Sequence, residues 1–208
     1  MRRLILTCAA ASLLLAGCSP VGLAVGAGAT AATAANQERG FGQAVDDNRI
    51  AIAIQAKLFG AGNGMLRKVD VEVHEKRVLL AGRVEKPAMR VDAVRLAWEV
   101  GGVSEVIDRI EIAEPQGFGG YMHDVWLAQK LRAVLLVDAH IRSINYNVDC
   151  VAGTIYLMGV AQNQAELQRV IDHARDIPHV RGVMNFVRLK NDPVRNGSPA
   201  AAQPAAVP

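Results

Sequence analysis

Apolar residues recur every fourth position at Ile50, Ile54 and Leu58, which is one face of a helix over about 46–59. The period then changes. Residues 69–75 and 77–83 alternate as strands, a second helical stretch covers 86–100, and a last strand covers 105–112. The same succession returns later. Leu127, Leu131 and Leu135 stripe a helix over 123–137, strands follow at 146–151 and 154–160, a helix at 163–177 and a strand at 182–189. The predicted order is αββαβ, twice. Each first helix is predicted to open at an aspartate suited to capping it, Asp47 and Asp124. The two strands of each pair are joined by only "EK" or "AG", short enough for a hairpin.

The two successions are in register. A shift of 77 residues lays Asp47 on Asp124, Val71 and Val73 on Val148 and Cys150, and Val78, Leu80 and Gly82 on Ile155, Leu157 and Gly159. No gap is needed over some 65 residues, so the chain holds two copies of one domain rather than a solenoid. The fold class is α+β: in each copy two helices cover one face of a three-stranded mixed sheet. A unit of about 70 residues has a modest core, and docking between the copies is expected to add stability. Gly82 and Gly159 are expected to serve backbone geometry at a strand end.

The ends of the chain do not carry this pattern. "MRRLILTCAAASLLLAGC" has a basic start, a short apolar run and small residues before Cys18. It resembles a bacterial lipoprotein signal, which implies cleavage of 1–17 and acylation of Cys18. Several acyl chains hold a protein stably, at about 0.8 kcal/mol per buried CH₂. Ser19, in place of the aspartate that commonly retains lipoproteins at the inner membrane, implies the periplasmic face of the outer membrane. Residues 18–43 read as a Gly/Ala tether, and 191–208 as a disordered Pro/Ala tail. With Cys8 removed and Cys18 acylated, Cys150 has no disulfide partner and reads as a small apolar strand residue.

Between these ends, residues 44–114 and 121–190 each resemble the BON domain. The G-x-V-x-L-x-G pattern stands complete as "GTIYLMG", with Ile for Val, and as "KRVLLAG" with Lys76 for the first glycine. Lipid signal, apolar tether, "VDD" at 45–47 and two copies together resemble the dual-BON outer-membrane lipoproteins of the DolP type. Soluble OsmY-like dual-BON proteins share the domain and lack the lipid.

The repeat supplies an internal control for one residue. Trp126 occupies the place of Arg49 in the first copy. An unpaired arginine is rarely buried, so the position faces outward. A tryptophan ring with a polar N–H suits a membrane interface, and nearby cations suit lipid phosphates. The resemblance implies that the first helix of the second copy binds anionic phospholipid, such as cardiolipin or phosphatidylglycerol, through Trp126, Lys130 and Arg132, with Ala133 and Val137 on the same flank. The alternative is that Trp126 packs against the other copy or the 114–122 linker. Trp98, also off the apolar stripe, is expected to touch the other domain or the tether.

Charge and chemistry narrow the function. The first copy carries 11 basic and 12 acidic residues and the second 8 and 6, which favours the second as the one facing an anionic surface. Loss of Arg2 and Arg3 lowers the formal charge from +3 to +1, which does not suit nucleic acid. His173 and His179 lie six apart, not at metal-ligand spacing on a helix, and no C-x-x-C, H-E-x-x-H, G-x-S-x-G or phosphate loop occurs. The expectation is a non-enzymatic lipoprotein without metal or cofactor that supports envelope integrity. The alternatives are a periplasmic scaffold for envelope assembly or cell-wall remodelling factors, and an OsmY-like chaperone.

Overall fold

The computed structural model describes residues 38, 40–114 and 117–195. The predicted signal peptide, Cys18, most of the tether and the tail beyond 195 lie outside the described residues. The first copy runs α1 (Gly40–Gly60), α2 (Met65–Lys68), β1 (Val69–His74), β2 (Arg77–Val84), α3 (Pro87–Trp98) and β3 (Glu105–Ile112). The second runs α4 (Phe118–Val137), a 3-10 turn at Ser143–Asn145, β4 (Tyr146–Val151), β5 (Thr154–Ala161), α5 (Gln164–Arg175) and β6 (Gly182–Leu189). In each copy the middle strand pairs antiparallel with its hairpin partner and parallel with the last strand, giving orders β1-β2-β3 and β4-β5-β6. The parallel pair needs a crossover, which α3 and α5 supply.

The first helices begin five or six residues before their predicted starts, and this corrects the reading of the two aspartates. Asp47 and Asp124 are not caps. Each lies buried well inside its helix and binds the hairpin turn of its own copy. The Asp47 carboxylate accepts the N–H groups of Glu75 and Lys76 at 2.9 and 2.8 Å. Asp124 accepts those of Ala152 and Gly153, both at 2.8 Å. All four turn residues are left-handed, with φ of 52° and 62° in one turn and 51° and 77° in the other. That conformation suits a two-residue hairpin but strains any residue except glycine. One buried carboxylate taking both turn N–H groups offsets the strain at Glu75, Lys76 and Ala152.

The paired glycines also differ from expectation. Gly82 and Gly159 sit within their strands, opposite Val69 and Tyr146, not at the ends. Their φ values are +141° and +136°, and a Cβ would come within 2.0 Å of the Lys68 or Asn145 carbonyl oxygen. Only glycine admits that approach.

Each sheet has two buried faces. One takes the helices: Ile54 and Leu58 pack with Leu80 and Ala93, and Leu131 and Leu135 with Leu157 and Val170. The other faces meet, with Leu79, Ala81 and Ile107 against Tyr156, Met158 and Phe186. The layers therefore run helices, sheet, sheet, helices. The seam is also bonded. Arg77 donates to Glu105 at 2.7 Å and to the Phe186 carbonyl at 2.9 Å, and Asn147 donates to Glu72 at 2.8 Å. The Arg109 guanidinium lies 5.3 Å from the centre of the Phe186 ring.

Candidate lipid-binding face

α4 buries Leu127, Leu131 and Leu135 and turns its opposite face outward. At about 100° per residue, Met122, Trp126, Lys130, Ala133 and Val137 fall within about 80° of one another. Trp126 is 47% exposed and Val137 82%, with Met122 and Ala133 also exposed. The outward position implied by Arg49 is the one observed, and the cluster between the sheets does not include Trp126. Trp98 is 51% exposed and also outside that cluster, which corrects its expected contact with the other domain.

Trp126 is held in place. Its ring stacks on His123, with centroids 5.9 Å apart and planes 20° apart, and the Lys130 ammonium lies 4.8 Å from the indole centre. A cation over an exposed ring contributes about 0.5–1 kcal/mol and fixes both side chains. Arg132 does not share this ridge. It lies about 120° round the helix from Trp126, and its guanidinium donates to the Val148 carbonyl on β4. Phe118, Met122 and Leu136 extend the exposed apolar surface beyond the residues chosen from sequence. The signal for Phe118 was the extra N-terminal turn of α4, hidden because Asp124 was read as the helix start.

Cys150 is buried, and its thiol donates to Asp124 across 3.5 Å. Burial, then the Asp124 charge, pushes the thiol far above its ordinary range, so it stays protonated. Among the described residues no group of His, Cys, Asp and Glu is arranged to hold a metal ion.

Comparison with known proteins assigns the repeat. Residues 46–114 and 123–191 each match the BON domain. The chain belongs to the BON-domain family. It is a dual-BON protein of the DolP type. It is 28% identical over 185 residues to the outer membrane lipoprotein DolP of Haemophilus influenzae, covering 86% of this chain and 91% of that one. It is 29% identical over 151 residues to osmotically-inducible protein Y of Escherichia coli, covering 72% and 75%. An uncharacterized protein in the gshII 5′ region of Anaplasma centrale is 36% identical over 152 residues, covering 73% of this chain and 99% of that protein. Dual-BON architecture thus accounts for most of the described residues.

Proposed function

We propose that this dual-BON chain is a non-enzymatic lipoprotein of the outer membrane. Acylated Cys18 anchors it on the periplasmic face, and its second BON domain binds anionic phospholipid in support of envelope integrity. The observation that carries the reading is the Trp126 ring, half-exposed on an apolar ridge with Lys130 fixed beside it, where the first copy has Arg49. The ring suits the headgroup layer, the ammonium suits a lipid phosphate, and Ala133 and Val137 lie along the acyl boundary. Arg132 reaches the surface from the flank and contributes charge rather than insertion. Among the described residues no helix is long and apolar enough to cross a membrane, so contact through α4 is peripheral. A lipid tether raises the effective concentration of such a weak second contact. DolP of H. influenzae carries "outer membrane lipoprotein" in its name, which supports the location.

The test uses the chain with Cys18→Ser, so that acyl groups do not decide the result. It should sediment with vesicles containing phosphatidylglycerol or cardiolipin, less so in high salt, and Trp126→Glu should abolish sedimentation without unfolding. Unchanged binding by that variant would overturn the reading. A scaffold role has one observation in its favour. α1 exposes Val45, Ile52 and Phe59 on the opposite outer layer of the molecule, away from α4. Capture of envelope proteins that survives Trp126→Glu would support it.

A further inference from the structure

The start of α4 borders an open cleft of about 590 Å³, lined by Arg83, His123, Asp124, Gly153, His179 and Arg181 among others. That volume lies in the range of small-molecule sites, about 300–1,000 Å³. His179 meets His123 edge-on at 5.8 Å, and His123 stacks on Trp126, so a row of rings joins the cleft to the apolar ridge. His179 holds φ at +74°, a strained conformation for histidine that often marks a functional position. The Arg181 stem lies against Gly153 (any Cβ there would meet it at 3.2 Å), and among the described residues its guanidinium has no hydrogen bond or ion pair. Arg83 reaches in from the first domain. Its Nε is buried without a hydrogen bond, with Glu111 at 3.4 Å. The Asp124 carboxylate is occupied by the turn N–H groups.

The first copy has the same fold here without these side chains. His123, His179, Arg181 and Gly153 correspond to Asp46, Gly102, Ser104 and Lys76, and Arg83 corresponds to Val160. Cations and rings therefore gather at this place only in the second copy, and the shared fold does not require them.

We propose that this cleft is a headgroup site. It takes the phosphodiester of an anionic phospholipid between Arg181, Arg83 and the two histidines, while the acyl chains leave along Met122 and Trp126. The site rests on the membrane reading above and adds headgroup selectivity to the insertion supplied by Trp126. Its continuity with the apolar ridge favours a lipid phosphate over a free one.

The experiment uses the chain with Cys18→Ser and the double variant His179→Gly/Arg181→Gln. Glycine suits φ +74°, so the variant should fold at least as well as the parent. At about fivefold per cation near an anionic surface, loss of Arg181 should weaken binding to phosphatidylglycerol vesicles at least about fivefold, with background binding to phosphatidylcholine unchanged. Soluble dihexanoyl phosphatidylglycerol should shift the imidazole NMR signals of His123 and His179, in the parent and in Trp126→Glu alike, at concentrations where inorganic phosphate does not. Parental binding to phosphatidylglycerol vesicles by the double variant would overturn the cleft and leave the Trp126 reading standing. Equal shifts with inorganic phosphate would reduce it to a general anion site and overturn the lipid assignment. Failure of the parent to bind either the vesicles or the short lipid would overturn both.

Discussion

The two BON copies share a backbone and differ in what they show to solvent. Their helices, sheets, hairpin turns and paired glycines superpose in sequence without a gap, yet Arg49 becomes Trp126, Ala53 becomes Lys130 and Asp46 becomes His123. What is held in common is what the fold needs: a buried aspartate under each turn, a glycine at each close backbone approach, and an apolar face for each helix. Exposed positions differ freely, and so do the two sheet faces that meet, where Leu79 and Ala81 correspond to Tyr156 and Met158. Duplication thus supplies an internal reference: the requirements of the fold recur, and the exposed ring of Trp126 stands where the first copy has Arg49.

The comparison breaks hardest at the aspartates. Asp47→Ala and Asp124→Ala each leave two turn N–H groups without their acceptor, at about 1–3 kcal/mol each. The loss should be larger in the first copy. There both turn residues, Glu75 and Lys76, are strained, whereas Gly153 adopts its conformation freely. Urea unfolding of the two variants checks this, and equal midpoints would mean that strain at Glu75 and Lys76 is not what Asp47 offsets.

A smaller effect sharpens the comparison at the seam. Asp70 corresponds to Asn147 and Glu72 to Asp149. On one side Asn147 donates to Glu72 at 2.8 Å; on the equivalent side an acid, Asp70, stands where the amide would be, within electrostatic reach of Asp149. Burial, then the Asp149 charge, pushes Asp70 up to about 7, although the residue keeps solvent access at the sheet edge. Asp149 is also raised, chiefly by burial, with Arg132 acting in the opposite direction. The folded state then holds a proton that the unfolded chain releases near its ordinary value of 3.8. Stability contributed by protonated Asp70 is present below pH 4 and falls as pH rises from about 4 to about 7. Asp70→Asn should flatten that slope and add about 1 kcal/mol at neutral pH through a hydrogen bond to Asp149. Thermal unfolding at pH 4.5 and 7.5 reads both, and an unchanged slope would remove Asp70 from the account.

Much of this architecture was legible in the sequence. β3, β4 and β6 were placed to the residue, and the stripes Ile50, Ile54, Leu58 and Leu127, Leu131, Leu135 are the helix-facing core. The role of Asp47 and Asp124 was not legible, because an aspartate before an apolar stripe is the local signature of a cap, while its true partners lie 28 and 29 residues away. Residues 77–83 and 154–160 read as alternating strands with one buried face, yet "VLLA" and "IYLM" are buried throughout because the second face of each sheet meets the other copy. The outward position of Trp126 was legible through the internal control of Arg49. The cleft escaped because Arg83, His123, His179 and Arg181 are distant in sequence and meet only through the fold.

The most direct test exchanges the residues that distinguish the copies. In the chain with Cys18→Ser, Trp126→Arg gives the second copy the first one's side chain, and Arg49→Trp does the reverse. Both positions are exposed, so Arg49→Trp should change stability by less than about 0.5 kcal/mol and Trp126→Arg, which loses the Lys130 contact, by about 1 kcal/mol. Sedimentation with phosphatidylglycerol vesicles should be lost in Trp126→Arg and kept in Arg49→Trp. Vesicle binding that persists in Trp126→Arg would contradict the claim that the second copy reads the membrane.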